Sequence, residues 1–249
     1  MSGIVRCELP DKVFRVNPFS VTDYRDLLLI RNDMEGKSRK EQEVILSEML
    51  EDYFPTEKES HRAYIFMKRF TASIGKTFVP VKFVCPTCNA TKLTRLDLTQ
   101  KPIKDYEING YGVKIVIGFP DKFTELSEMI SDNIKSIEFN SQVYLWKDLS
   151  EEEKLNVIDL IPAESLSEIE KNFKPVKAKF MASCCKSTEV VYDNFLDLFL
   201  IILNPEEIFS FYQVNHLMIK KNYSLQDLMS MIPIERSIYL SLIEKDLKK

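Results

Sequence analysis

Residues 77–98 read TFVPVKFVCPTCNATKLTRLDL, and residues 175–193 read PVKAKFMASCCKSTEVVYD. In both, apolar and polar residues alternate on either side of a cysteine pair. Alternation is the period-two signature of a strand, so each stretch reads as a β-hairpin with cysteines at its tip. Cys85 and Cys88 have the two-residue spacing that lets two sulfurs point at one metal ion while N–H groups of the turn support the thiolates. Cys184 and Cys185 are adjacent. Neighbours on an extended strand point to opposite faces, so both reach one ion only where the backbone turns sharply. The expectation is one structural zinc ion held by Cys85, Cys88, Cys184 and Cys185 in a zinc-ribbon-like unit. Such an ion would pin the middle of the chain to its last third. A three-cysteine site completed by Cys7, His216 or water is the alternative, with Cys7 otherwise an ordinary buried thiol. The bland reading keeps all four as small apolar residues. A thioredoxin-like redox pair shares the CPTC spacing but opens a helix, whereas β-type sequence flanks it here.

Working outward, residues 3–9 and 13–16 form a hairpin turning at Pro10 and Asp11. Ser20 with Asp23, and Ser38 with Glu41, are capping boxes opening two helices. The first presents Tyr24, Leu27, Leu28 and Arg31; the second presents Val44, Ile45, Met49 and Tyr53 and ends at Pro55. A third helix over residues 57–73 presents Ala63, Tyr64, Phe66, Met67 and Phe70, with Gly75 as its terminator. His61, in its first turn, reads as a surface or core side chain rather than a ligand. Between the cysteine hairpins, residues 105–118 form a hairpin turning at Asn109 and Gly110. A helix over residues 121–135 turns Phe123, Leu126, Met129, Ile130 and Ile134 inward. Residues 136–148 fit neither period. Ser150 followed by three glutamates opens a helix to residue 161, and a short one follows to residue 173. The remainder is helical, over residues 193–203, from Pro205 to residue 221, from Ser224, and after Pro233. The fold class is therefore α+β, mostly helical with several hairpins. Its parts are residues 1–76, 77–192 and 193–249, intertwined in one globular unit.

Composition narrows the function. The 249 residues are 45% hydrophobic, enough to bury a sizeable core. Lys and Arg number 34 against 38 Asp and Glu, and a net charge of -4 offers no general attraction to nucleic acid or anionic membrane. Six glycines form no phosphate-cradling array, and the two histidines leave few candidates for a general base. Hydrolytic triads, zinc-protease helices and calcium loops are missing from the sequence, so the reading is non-enzymatic. The apolar run over residues 195–203, broken by Asp197, is too short to span a bilayer, and the first residues carry no signal-peptide pattern. A cytosolic chain follows, with cysteines as thiols or metal ligands rather than disulfides.

Other features read blandly. Glu151, Glu152 and Glu153 complement a helix dipole. Phe211, Tyr212 and His216 fit a core face holding a buried histidine, and Trp146 is a partner anchor or core. Lys82, Lys92, Arg95, Lys177, Lys179 and Lys186 gather near the cysteine hairpins. They support a zinc-ribbon nucleic-acid-binding protein as the second reading, although strand-face lysines also keep edges soluble. Residues 204–232 carry more large apolar side chains than one stripe can bury, among them Phe209, Phe211, Tyr212, Leu217, Met218 and Ile219. A protein-binding surface is expected there.

Four segments in combination, RCELPDKVFRVNPFSVTDYRDLLLI, YIFMKRF with CPTC after it, YLWKDLS, and LNPEEIFSFYQVNHLMIKKNYSLQDLMSMIPIERSIYLSLIEKD, resemble the T4-type bacteriophage baseplate hub assembly proteins. The likeness spans nearly the whole chain. The family holds a shorter hub protein and a longer catalyst of hub assembly, and the length here is that of the longer kind. The resemblance implies an assembly factor that works in the host cytoplasm, contacts other baseplate hub proteins and is absent from the finished virion. A structural subunit of the hub is the alternative it leaves open.

Overall fold

The computed structural model describes residues 3–247. Strands β1 (Val5–Glu8) and β2 (Val13–Val16) form the expected first hairpin. Both predicted capping boxes are present, from Ser20 with Asp23 on α1 (Val21–Asp33) and from Ser38 with Glu41 on α2 (Arg39–Tyr53). On α2 the buried positions are Leu46 and Met49, while Val44 points outward at 51% exposure, so the inward stripe is rotated from the one expected. Helix α3 (Glu59–Ile74) ends at Gly75, whose left-handed φ of 64° matches its role as terminator.

Helix α3 carries the centre of the core. Ala63, Tyr64, Ile65, Phe66, Met67 and Phe70 are all buried. The Phe66 ring lies 5.2 Å from Phe19 and 5.2 Å from Phe195, joining the N-terminal segment to a helix far along the chain. Each such aromatic contributes about 1.5–3 kcal/mol by burial alone.

After α3 come β3 (Phe78–Val84) and β4 (Thr91–Asp97), then β5 (Tyr106–Gly110) and β6 (Val113–Ile117). The β5–β6 turn falls on Tyr111 and Gly112, with φ of 53° and 77°, not on Asn109 and Gly110. The shift pairs five residues and sets Ile108 opposite Ile115. Gly110 instead supplies close packing, since a Cβ there would lie 3.1 Å from the Pro162 ring.

The predicted helix over residues 121–135 shrinks to α4 (Leu126–Ser131). Ile134 belongs to β7 (Ile134–Phe139), which pairs with β6 and then, through a turn at Asn140 and Ser141, with β8 (Gln142–Leu145). A β-bulge interrupts the β6–β7 pairing. The register slips between Val116 and Ile117, leaving Lys135 unpaired, so Ile134 and Ile137 both face inward three residues apart. It is the spacing of Ile134 four residues after the buried Ile130 that imitates a helix.

A short 3-10 turn (Trp146–Asp148) leads to α5 (Glu151–Asp159), capped by Ser150 and Glu153 as predicted, and to α6 (Ala163–Asn172). Strands β9 (Ala178–Ser183) and β10 (Ser187–Tyr192) form the second cysteine hairpin. Helices α7 (Phe195–Ile202), α8 (Glu207–Lys220), α9 (Leu225–Ser230) and α10 (Pro233–Leu247) complete the chain. Two four-stranded antiparallel sheets result, in the orders β10-β9-β4-β3 and β5-β6-β7-β8. The last helices are tied back to α1, where the Val21 N–H donates to the Met231 carbonyl at 2.7 Å and the Tyr24 hydroxyl to Glu207 at 2.9 Å. Met218, Leu228 and Ile243 make a small separate core among them.

Candidate metal centre

The sheet β10-β9-β4-β3 is two hairpins laid side by side. Within each the ladder is continuous, but between them β4 and β9 share a single ladder pair, Asp97 with Lys179. The base of this seam is closed by Gln100, which is buried. Its side-chain amide donates to the carbonyls of Leu98 at 2.8 Å and Lys177 at 3.1 Å and accepts from the Lys177 N–H at 2.9 Å. One side chain thus does the work of a missing ladder residue. Higher up, Phe83 and Phe180 meet edge to face across the seam at 6.0 Å.

At the tips the four cysteines converge. One ligand atom from each of Cys85, Cys88, Cys184 and Cys185 lies within 4.8 Å of all the others. The Cys88 and Cys184 sulfurs, 96 residues apart in sequence, are 3.5 Å from each other. A tetrahedral zinc ion with sulfur ligands at ~2.3 Å spaces those sulfurs about 3.8 Å apart, so the donor set fits the ion in number, type and separation. Cys85 closes a tight turn: its carbonyl accepts from the Asn89 N–H at 2.8 Å, and Asn89 takes a left-handed φ of 54°. Backbone N–H groups of Cys88 and Thr87 aim at its sulfur and pull its pKa down to about 6, which favours a thiolate. Cys184 and Cys185 stand in the three-residue turn that joins Ser183 to Ser187, not on an extended strand. The sharp bend that their adjacency requires is therefore present. Sharing a hydrogen bond with the Cys88 sulfur pushes Cys184 up to about 12 and raises Cys185 as well. Four sulfurs this close cannot all carry charge without a cation among them.

Other sequence candidates stay apart from this cluster. Cys7 is fully buried against the core, and burial pushes its pKa up to about 11, as expected of an ordinary thiol. His216 is exposed on α8, and the buried polar residue there is Asn215, which accepts from Arg236 at 2.9 Å. A buried histidine was expected on that helix. It is His61 that is buried, against Phe119, with neither ring nitrogen hydrogen-bonded, and burial lowers its pKa. Glu153 caps its own helix, and Trp146 is partly buried against the core. Of the basic residues near the hairpins, Lys179 pairs with Glu189 at 2.8 Å.

On the C-terminal helices, Phe211, Met218 and Leu228 are buried while Phe209, Tyr212, Ile219 and Leu225 stand exposed, Phe209 at 70%. Sequence reasoning missed Gln100, whose role depends on a partner 77 residues away. It also missed the apolar stripe Ile234, Ile238 and Leu242 on α10, which the spacing i, i+4, i+8 already displays.

No helix of the described residues is long and apolar enough to cross a membrane. No curated protein and no solved structure matches the chain. Two family models do: residues 1–200 match the T4 bacteriophage base plate protein model, and residues 202–248 match the baseplate hub assembly protein Gp51 C-terminal domain. Together they run almost from end to end, and the chain belongs to the T4-type baseplate hub assembly family.

Proposed function

We propose that the protein is a non-enzymatic, chaperone-like assembly factor for the central hub of a contractile phage tail baseplate. It acts in the host cytoplasm by contacting other hub proteins and leaves before the particle is finished. The observation that carries this reading is the pairing of the baseplate match with a C-terminal hub assembly domain in one chain. The exposed aromatic and aliphatic side chains of α8 and α9 support work by protein contact. The same proposal assigns Cys85, Cys88, Cys184 and Cys185 to one structural zinc ion, whose chemistry there is to hold four thiolates together without redox change. These residues supply the cross-link between two hairpins that the backbone joins at one ladder pair. A net charge of -4 and the engagement of Lys179 by Glu189 weigh against nucleic acid as the partner.

The test is assembly of hubs from their purified proteins with and without this chain, followed by mass spectrometry of the finished product. Faster or more complete assembly with the chain absent from the product is expected. Stoichiometric retention would make it a hub subunit instead, and no effect on assembly would overturn the reading. Elemental analysis of protein purified without chelator should find about one zinc per chain, and less than about a tenth of an equivalent would remove the tight site.

A further inference from the structure

Between the C-terminal helices and the body of the protein lies an open cleft of about 1110 Å³. One wall is α10, which is apolar on two faces. Ile243 turns toward Met218 and Leu228 in the small core. Ile234, Ile238 and Leu242, spaced at i, i+4 and i+8, line the cleft. Ile234 is anchored: it sits so close over Gly75 that a Cβ there would come within 1.9 Å of its Cδ1. Beyond that anchor the stripe is uncovered, with Ile238 at 55% and Leu242 at 52% exposure. Ser237 and Ser241 stand beside these residues and line the same cleft, and small side chains of this kind let a second backbone approach closely.

The opposite wall includes β3, an edge strand of its sheet. Pro80 offers it no N–H, and Lys82 places a charge on it, two devices that discourage the addition of another strand. The wall suited to receive a ligand is thus the helical one. The charge of the cleft departs from that of the chain. Lys76, Lys82 and Lys245 are exposed along it, and none has an ion-pair partner among the described residues. The single acidic residue lining it, Glu207, already accepts from the Tyr24 hydroxyl.

We infer that this cleft is the docking site for an amphipathic helix of a partner protein, with its apolar stripe on Ile238 and Leu242 and acidic residues facing Lys76, Lys82 and Lys245. The inference rests on the assembly reading above and gives its partner a surface and a chemistry. An apolar wall ringed by cations matches an amphipathic acidic helix in both respects. A nucleic acid would satisfy the lysines and leave the isoleucine and leucine wet. A second copy of this chain, itself net acidic, would have to bring an acidic helix of its own.

To test this, a photo-crosslinking residue is placed at Ser241 in the full chain, the chain is mixed with the purified hub proteins, and the crosslinked peptide is sequenced. The expected product is one segment with apolar residues at helical spacing and Asp or Glu flanking them. A synthetic peptide of that segment should bind the wild-type chain and lose tenfold or more in affinity to Leu242→Asp. It should lose at least as much to the triple variant Lys76→Glu, Lys82→Glu, Lys245→Glu, whose exposed positions leave folding intact. Crosslinking to another copy of this chain, to nucleic acid, or to a segment without acidic residues would overturn the inference. So would peptide binding that is indifferent to charge reversal. The same triple variant in the hub assembly assay separates the two readings. If it assembles hubs as well as wild type, the cleft is not the docking site and the assembly reading stands. If wild type itself does not promote assembly, the assembly reading falls.

Discussion

Two four-stranded antiparallel sheets of the same molecule are built in opposite ways. The sheet β5-β6-β7-β8 is a meander of consecutive strands, each paired along most of its length, with Ile108, Ile115, Ile117, Ile134 and Ile137 on one buried face. The sheet β10-β9-β4-β3 joins hairpins from distant parts of the chain through one ladder pair, one buried glutamine, the Thr94 hydroxyl donating to the Met181 carbonyl, the Phe83–Phe180 ring contact and four converging cysteines. A meander closes short loops and recovers ladder hydrogen bonds at once. Two hairpins separated by some eighty residues close one long loop, whose entropy cost must be met by whatever joins them. Both sheets bury an apolar face, with Val81, Leu96 and Phe180 in the second, and only the second adds a candidate metal centre.

The largest expected effect breaks the second sheet alone. If zinc fills the cysteine cluster as proposed, removing it with a chelator should forfeit a binding free energy of the ~10–16 kcal/mol class that zinc-finger peptides show at neutral pH, and Cys85→Ser should forfeit a large part of it. That is comparable to the whole stability of a domain. Hydrogen exchange should show the protection of β3, β4, β9 and β10 collapsing before that of β5 to β8. Cys7→Ser should leave zinc content unchanged. Equal loss of protection in both sheets would mean that the thiol cluster does not distinguish them.

The converse change is Ile117→Ala. Ile117 is fully buried, so its truncation should cost about 2–5 kcal/mol through lost burial and the cavity left behind. Denaturant titration of the zinc-loaded protein would measure this. Zinc stoichiometry should be untouched, because the meander and the cysteine tips share no ligand.

These two sheets were also unequally legible. The cysteine hairpins could be read from alternation and the CPTC spacing, and adjacency of Cys184 and Cys185 posed a condition, a sharp bend, that the turn meets. The meander was half hidden. Ile134 follows Ile130 at a spacing of four, which belongs to a helix, and the first turn had a false candidate in Asn109 and Gly110. Helix starts were legible wherever a serine with an acidic residue three places on formed the cap, as at Ser20, Ser38 and Ser150. Local signals of that kind lie within four residues. Gln100 and the α10 cleft depend on partners far along the chain, and no window of sequence contains both sides.

Gln100→Ala sharpens the comparison at smaller cost. It removes three hydrogen bonds, two of them across the seam, and leaves the Lys177 N–H without its acceptor, a loss of about 1 kcal/mol for a part-buried donor. Because Gln100 and the cysteines hold opposite ends of the same seam, their effects should not add. In the zinc-loaded chain the tips remain tied and the base frays locally. In Cys85→Ser the glutamine is one of the few ties that remain, beside the Asp97–Lys179 pair and the Phe83–Phe180 contact, and its loss should weigh more. A double-mutant cycle followed by thermal unfolding measures the coupling. Strict additivity would show that the two ties act on independent units.

The smallest effect concerns the meander's first turn. Tyr111 sits at φ 53° with its side chain 78% exposed. A left-handed backbone brings Cβ against the following carbonyl oxygen, and an exposed ring gains little packing to offset that cost. Asparagine tolerates the conformation because its short amide can hydrogen-bond locally, and Asn-Gly is the preferred pair for a tight hairpin turn of this hand. Gly112 already occupies the second position at φ 77°. Tyr111→Asn should therefore stabilise the protein by up to about 1 kcal/mol, read as a rise in the denaturant midpoint with an unchanged slope. The gain should persist after chelation, since β5 and β6 pair with each other independently of the cysteine hairpins. A destabilised Tyr111→Asn would show that the ring makes contacts worth more than the strain it causes, and the turn would then count as a surface selected for something other than folding.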